Sequence, residues 1–227
     1  MKHIPIALLT YNRAELLKQS IAEQERVNSP YPIYIFDDGS TEESKLTLLN
    51  DLEKDNRFIV IRWKHRGYKN QFLEIMRFFK EQGYRYYVFI EDDAIFSINW
   101  YDWGCGRLRD LESFGCNIGV FALYTGHPIL KQEVLPHVFK HTTEHFYGTC
   151  CLFINPQIID EYIYQAYDRG WNPDVAIREM SLNRSKFLLF VASPTLAQHI
   201  GNESLLGAPP HRSGLFLGQD KDALNLL

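Results

Sequence analysis

The 227-residue chain has only four cysteines, and none stands in a C-x-x-C pair or beside a histidine cluster. That excludes a zinc-knuckle or disulfide framework as the organising device. Reduced, mostly buried thiols are expected instead, and with them a cytoplasmic location. No apolar run approaches the length of a membrane span. Met1-Lys2-His3 leads straight into Ile4 to Leu9, too short a stretch for the apolar part of a secretory leader and its cleavage site. Positive charge is not in excess either. A formal net charge of -4 argues against a nucleic-acid partner, which calls for a basic patch. Low-complexity segments, internal repeats and a dividing linker are also missing, so one domain over residues 1–227 is expected.

What the chain does contain is an alternation of strand and helix signals. Ile4 to Leu9 is a continuous apolar run, as for a strand buried on both faces. Asn12 to Glu15 then reads as a helix start, with Asn12 as cap and Glu15 reaching back, and Leu17, Ile21 and Ala22 as the inner face. Ile33 to Phe36 is a second strand, and Ser40 to Glu43 repeats the capping pattern ahead of Leu46, Leu49 and Leu52. Phe58 to Trp63 is a third strand, and Phe72, Ile75, Met76 and Phe79 form a helical stripe. Tyr86 to Ile90 is a fourth strand, with Glu91, Asp92 and Asp93 at its carboxyl end.

The second half is less regular. Strands are expected over Asn117 to Leu123, Phe146 to Ile154 and Phe187 to Val191. Asn155-Pro156 opens a helix with Ile159, Tyr162, Ile163 and Ala166 inward, and Asn172-Pro173 opens another through Leu182. The tail after Gly207 carries Pro209-Pro210, Gly214 and Gly218 and reads as loop-like and mobile. The expected class is α/β, with a mostly parallel central sheet flanked by helices. In such sheets ligands bind beyond the carboxyl ends of the strands. Thr10-Tyr11, Asp37-Asp38 and Glu91-Asp92-Asp93 should therefore share one rim.

Three stretches carry a family resemblance: Ile6-Ala7-Leu8-Leu9-Thr10-Tyr11-Asn12-Arg13, Ile35-Phe36-Asp37-Asp38-Gly39-Ser40 and Phe89-Ile90-Glu91-Asp92-Asp93. In order, spacing and strand-end placement they resemble the opening of GT-A-fold glycosyltransferases, most closely the inverting, family-2-like group. The resemblance implies a GT-A (Rossmann-like) domain with a nucleotide-sugar half over 1–98, an acceptor and catalytic half over 99–206 and a tail over 207–227. It implies a metal-dependent enzyme that moves a sugar from a UDP-sugar to a hydroxyl of a glycan or other acceptor, with inversion.

The same resemblance implies the roles. E-D-D stands where the family has its D-x-D-type motif, which binds a divalent cation, Mn²⁺ or Mg²⁺, through hard oxygen ligands. Asp93 is favoured as the direct ligand and Asp92 faces the donor ribose or a metal-bound water, although which of Glu91, Asp92 and Asp93 touches the metal stays open. Asp38 is the carboxylate that would read the base, accepting from a uracil N–H. Asp37, ahead of Gly39-Ser40, also suits a plain turn. Thr10, Tyr11 and Arg13 would line the base and ribose, and Arg66 or Lys69 would meet the diphosphate or base.

An inverting transfer needs a carboxylate to deprotonate the acceptor hydroxyl. Asp174, at a loop-to-helix position, is the expected base and Glu179 the runner-up, although a first-turn acid is favoured by the helix dipole alone. Pro194 to Gly201 resembles the P-x-L-x-Q-H-x-G segment of some N-acetylglucosaminyltransferases that branch N-glycans. It makes His199 a metal ligand, with an imidazole that suits Mn²⁺, and makes N-acetylglucosamine the candidate sugar. His211 and Arg212 would form a lid over the diphosphate. Trp100, Trp103 and Trp171 are able to stack on sugars, with core packing as the default. Two other classes compete. A sugar-1-phosphate nucleotidylyltransferase has a similar core but wants a glycine-rich phosphate loop after the first strand, and Leu9 to Arg13 has no glycine. A non-catalytic sugar-nucleotide or glycan-binding domain would keep the site and lack the base.

Overall fold

The computed structural model describes residues 3–126, 132–142, 146, 148–162, 169–182, 186–201 and 212–227. The first half runs β1 (Ile6–Thr10), α1 (Ala14–Arg26), β2 (Ile33–Asp37), α2 (Glu43–Leu52), β3 (Phe58–Arg62), α3 (Tyr68–Glu81), β4 (Tyr87–Glu91). It continues through β5 (Ala94–Phe96), α4 (Trp100–Ser113), β6 (Ile118–Ala122), β7 (Glu133–Leu135), β8 (Val138–Lys140) and β9 (Cys151–Ile154). A 3-10 turn over Pro156–Ile158 leads into α5 (Ile159–Tyr162), followed by α6 (Pro173–Leu182), β10 (Leu188–Ala192), β11 (Ala197–His199) and a closing 3-10 turn over Ala223–Leu226.

The main sheet has the order β3-β2-β1-β4-β9-β6-β10-β8-β7. Every strand in it except β8 and β9 runs in the same direction. The parallel pairings of β1 with β2 and β4, and of β2 with β3, follow from right-handed crossovers through α1, α2 and α3. Side-chain alternation splits the core in two. Ile6, Leu8, Ile33, Ile35, Val88 and Ile90 face Leu17 of α1, Leu49 and Leu52 of α2 and Trp100, Trp103 and Leu108 of α4. On the other face Ala7, Leu9, Phe36, Tyr87 and Phe89 meet Phe72, Ile75, Met76 and Phe79 of α3 and Ala176, Ile177 and Met180 of α6. Trp100 and Trp103 are thus core residues, and the four cysteines are free thiols. No helix among the described residues is long and apolar enough to cross a membrane.

Several expectations are corrected. Asn12 does not cap α1. Both Asn12 and Arg13 take left-handed conformations (φ 49° and 51°), and the Asn12 Oδ1 accepts from the backbone of Thr41 and Glu42 instead. Ser40 likewise caps nothing, because its hydroxyl is spent on Asp37. The inner face of α1 is more polar than Leu17, Ile21 and Ala22 suggest: Ala22 is exposed, whereas Ser20, Glu23 and Gln24 are buried. Glu23 has a reason to be there, since its carboxylate accepts from Phe96 N at 2.7 Å and so fastens β5.

The strand expected over Phe146 to Ile154 shortens to Cys151–Ile154, with part of the difference outside the described residues. Ile163 and Ala166 of the helix after Pro156 also lie outside them. The tail is not a loose strap where it is described. Phe216 bridges Thr195, Asp222 bridges Ile98, and Ala223 is fully buried. Ser213 N donates to Gln198 Oε1 at 2.8 Å, and Gln219 reaches Glu23.

Candidate active site

The strand-end residues do converge. Thr10 pairs with Asp37 across β1 and β2, and Leu9 pairs with Glu91 across β1 and β4, so all three motifs stand on one rim. At its centre is a chain of buried polar groups. The Thr10 hydroxyl donates to Asp92 Oδ2 at 2.6 Å and accepts from the ammonium of Lys45, which is 0% exposed. Arg13 holds the other side of the cluster, with Nη2 at 2.7 Å from Asp92 Oδ1 and Nη1 at 3.4 Å from Asp93 Oδ2. Its left-handed backbone costs about 1–2 kcal/mol for a side chain of this kind, and the contacts it makes here offset that strain. Burial pushes the Asp92 carboxyl up to about 6, with Asp93 adding to the rise and Arg13, Thr10 and Lys45 opposing it. Burial also pulls Lys45 down to about 8, against the opposing charges of Asp92 and Asp37.

Glu91, Asp93 and His199 form a second group. Their ligand-capable atoms lie within 4.8 Å of one another. His199 Nε2 is 3.2 Å from Asp93 Oδ2 and 4.0 Å from Glu91 Oε2. Burial alone would raise the Asp93 carboxyl, but the His199 hydrogen bond and charge, with Arg13, hold it below its ordinary value. For His199 burial works downward, and the bond to Asp93 and the charges of Asp93 and Glu91 outweigh it and raise the imidazole. Glu91 is raised by burial and by Asp93. The partner of this cluster is the short sheet of β5 and β11, in which Ala94 pairs with His199. Ile200 N continues the ladder by donating to Asp93 O at 2.8 Å. Gly201 completes the fit. A Cβ there would lie 2.5 Å from Asp93 Oδ2 and 2.8 Å from His199 Cε1, so only glycine lets the chain pass this close.

The cluster suits a divalent cation. Asp93 Oδ1 is buried with no hydrogen-bond partner among the described residues, an acceptor whose burial is costly without a donor or a cation. Two carboxylates and an imidazole form a hard-oxygen and borderline-nitrogen donor set, appropriate to Mn²⁺ more than to Ca²⁺.

The remaining expected residues fall into place unequally. Asp38 is buried, and its two oxygens accept from Arg66 N at 3.0 Å and Gly67 N at 2.9 Å, with His65 Nδ1 3.0 Å from Oδ2. It therefore shapes the 65–67 loop. Asp37 closes its own turn by accepting from Ser40 N at 3.0 Å. Tyr11 stacks on His65 with ring centroids 4.4 Å apart. Arg66 lies over the Trp63 ring and 3.7 Å from Glu74, on the flank of α3, and Lys69 is in the first turn of α3. Asp174 occupies the first turn of α6, near enough that its charge acts on the Tyr68 hydroxyl, while Glu179 pairs with Arg178 at 2.9 Å. His211 lies outside the described residues and Arg212 is exposed.

Residues that the sequence reading left without a role include Lys45, His65, Tyr68, Thr149 and Gly201. Lys45 had a faint signal: it stands one turn ahead of Leu49 on the buried stripe of α2, where a lysine needs an explanation.

Residues 6–102 match the sequence profile described as Glycosyl transferase family 2. No curated protein matches the chain. Among solved structures, it resembles the mannosyltransferase PcManGT from Pyrobaculum calidifontis in complex with GDP-Man and Mn²⁺, with a TM-score of 0.50 at 13% identity. That match covers 83% of this chain and 56% of the other. S. aureus TarS 1-349 in complex with UDP-GlcNAc aligns with a TM-score of 0.52 at 10% identity, covering 83% of this chain and 58% of that one. The same protein in complex with UDP gives 0.53 at 11% identity, covering 84% and 61%. The fold is that of GT-A glycosyltransferases, and the chain spans less than two thirds of the length of each of these proteins.

Proposed function

We propose that the chain is a metal-dependent glycosyltransferase that moves a sugar from a UDP-sugar to an acceptor hydroxyl with inversion. The observation that carries the reading is the Glu91, Asp93 and His199 cluster, with the orphaned Asp93 Oδ1, at the carboxyl rim of a GT-A sheet. Glu91, Asp93 and His199 would hold the cation. A bound Mn²⁺ or Mg²⁺ supplies positive charge that stabilises a departing nucleoside diphosphate. Arg13 adds fixed positive charge beside the same carboxylates, and Asp92, anchored by Thr10 and Arg13, faces the ribose.

Tyr11 and His65 offer an aromatic platform for the base, with Asp38 holding the loop that carries His65, Arg66 and Gly67 in place. Arg66, in the same loop, and Lys69, in the first turn of α3, would meet the diphosphate or base. Asp174 takes the acceptor proton at its carboxylate. Its place in the first turn of α6, close enough for its charge to act on Tyr68, which is itself bonded to Glu91, favours it over Glu179. N-acetylglucosamine is the proposed sugar. It is supported by the Pro194 to Gly201 segment and by a fold neighbour that binds UDP-GlcNAc.

The test is UDP release from a series of UDP-sugars with Mn²⁺ and a panel of glycan acceptors, alongside UDP binding. Asp93→Ala should lose the Mn²⁺-dependent part of UDP affinity; unchanged affinity sinks the metal assignment. Asp174→Asn should bind UDP as wild type does and lose transfer by about 10²-fold or more. Transfer at the wild-type rate would move the base to Glu179 or another carboxylate. Tight UDP-sugar binding with no UDP formed from any donor would make the chain a binding module.

A further inference from the structure

Glu91 is held differently from the other carboxylates of the site. Its Oε1 accepts two hydroxyl hydrogen bonds, from Tyr68 at 2.6 Å and from Thr149 at 2.7 Å, and the two hydroxyls also touch each other. Its Oε2 carries neither bond and points toward His199 Nε2, 4.0 Å away. The two hydroxyls come from opposite sides. Tyr68 is the first residue of α3, directly after Gly67, which adopts φ 80°. Thr149 precedes β9, whose antiparallel pairing with β4 sets Ile90 opposite Cys151 and lets Glu91 N donate to Cys150 O. The start of α3 and the segment before β9 thus converge on a single oxygen.

We infer that Tyr68 and Thr149 are positioning residues for Glu91, tying down Oε1 so that Oε2 alone is presented to a divalent cation. The inference rests on the metal reading proposed above and adds a selectivity to it. A carboxylate free to rotate about its terminal bond is able to offer both oxygens, the bidentate mode that large, flexible Ca²⁺ shells accept. Mg²⁺ and Mn²⁺ have small shells that favour one oxygen per carboxylate. Occupying Oε1 with two donors forecloses the bidentate mode and disfavours Ca²⁺. Partners that orient a metal ligand in this way generally change metal affinity by 10–100-fold when removed.

The experiment measures Mn²⁺ binding by electron paramagnetic resonance in the presence of saturating UDP, with Ca²⁺ affinity from competition, for wild type, Tyr68→Phe, Thr149→Val and Thr149→Ser. Tyr68→Phe and Thr149→Val should each weaken Mn²⁺ by about tenfold, with Ca²⁺ affected less, so that the Mn²⁺/Ca²⁺ ratio narrows. Thr149→Ser, which keeps the hydroxyl, should match wild type. Variants with wild-type Mn²⁺ affinity and ratio overturn the inference while leaving the metal site standing. Equal loss of both ions with a fall in melting temperature also overturns it, because it assigns the hydroxyls a structural role only. Wild type that fails to bind Mn²⁺ overturns this inference together with the metal reading itself.

Discussion

At the scale of single residues the most consequential one is Lys45, a fully buried ammonium on α2 whose hydrogen bond to Thr10 leads on to Asp92. Burial pulls its folded-state pKa down to about 8 from the ordinary lysine value of 10.5. Between those two values the unfolded chain holds a proton that the folded protein has released, so stability rises with pH across that window. Methionine at this position removes the titration and roughly keeps the volume. The unfolding free energy of wild type relative to Lys45→Met should therefore shift in favour of wild type as pH rises from 8 to 10.5, by up to about 3 kcal/mol. Parallel urea titrations of the two proteins measure this, because groups common to both cancel in the difference. A flat difference would mean that Lys45 is solvated. Such a residue is only faintly legible in sequence: position 45 continues the spacing of Leu49 and Leu52, yet a lysine there reads first as helix surface. Asp93 and His199, which the fold sets 3.2 Å apart, each carried a mark in the sequence, one following a strand end and the other in a Gln-His-x-Gly setting. Tyr68 and Thr149 had neither mark. Their role depends on where the start of α3 and the segment before β9 meet in space.

Among the elements, β1 to β4 and the helices between them were legible because each strand is a mostly apolar run and the helices carry apolar residues at helical spacing, clearest in α3. The exceptions have physical causes. α4 buries Trp100, Trp103, Gly104, Arg107, Leu108 and Leu111, a regular helical face, but Gly104 and Gly106 interrupt it in sequence. Gly104 is there for packing. A Cβ would come within 2.6 Å of the Phe153 ring, so the helix accepts a cost of about 1 kcal/mol relative to alanine in return for close contact with β9. β5 and β11 are three residues each, too short for any period to register, and their pairing links positions about a hundred residues apart. That pairing is nevertheless what sets His199 beside Asp93. The missed caps have a similar origin. Asn12 is used to hold the Thr41–Glu42 turn, so a local signal for a helix start was redirected into a tertiary contact.

At the scale of the molecule, the segment after residue 212 ties the two halves of the site together. Residues 213–227 bond to Gln198 on β11, bridge Thr195 and Ile98 on either side of the short sheet, and reach Glu23 and Arg26 on α1. Gly214 and Gly218, behind Pro209-Pro210, make the tail after Gly207 read as loop-like and mobile in sequence, because the contacts of 213–227 lie in other parts of the chain. Its hydrogen bonds contribute about 1 kcal/mol each at buried positions. Set against the conformational entropy of ordering the segment, their loss on deleting 213–227 should leave a net cost of about 3 kcal/mol and lower the melting temperature by roughly 6–12 °C. The loss should not stay local. Gln198 neighbours His199 in β11, and both oxygen and nitrogen of its amide are engaged by Ser213. Without that anchor β11 keeps its ladder to β5 and the Ala197 N–Leu123 O bond but loses the hold on its other edge, and Asp93 and His199 drift apart. The truncated protein should thus show weaker Mn²⁺ binding than wild type even well below its melting temperature, measured with UDP present. Lowered melting with undiminished Mn²⁺ affinity would confine the segment to a stabilising role. Weakened Mn²⁺ binding would make it part of the frame that holds His199 against Asp93.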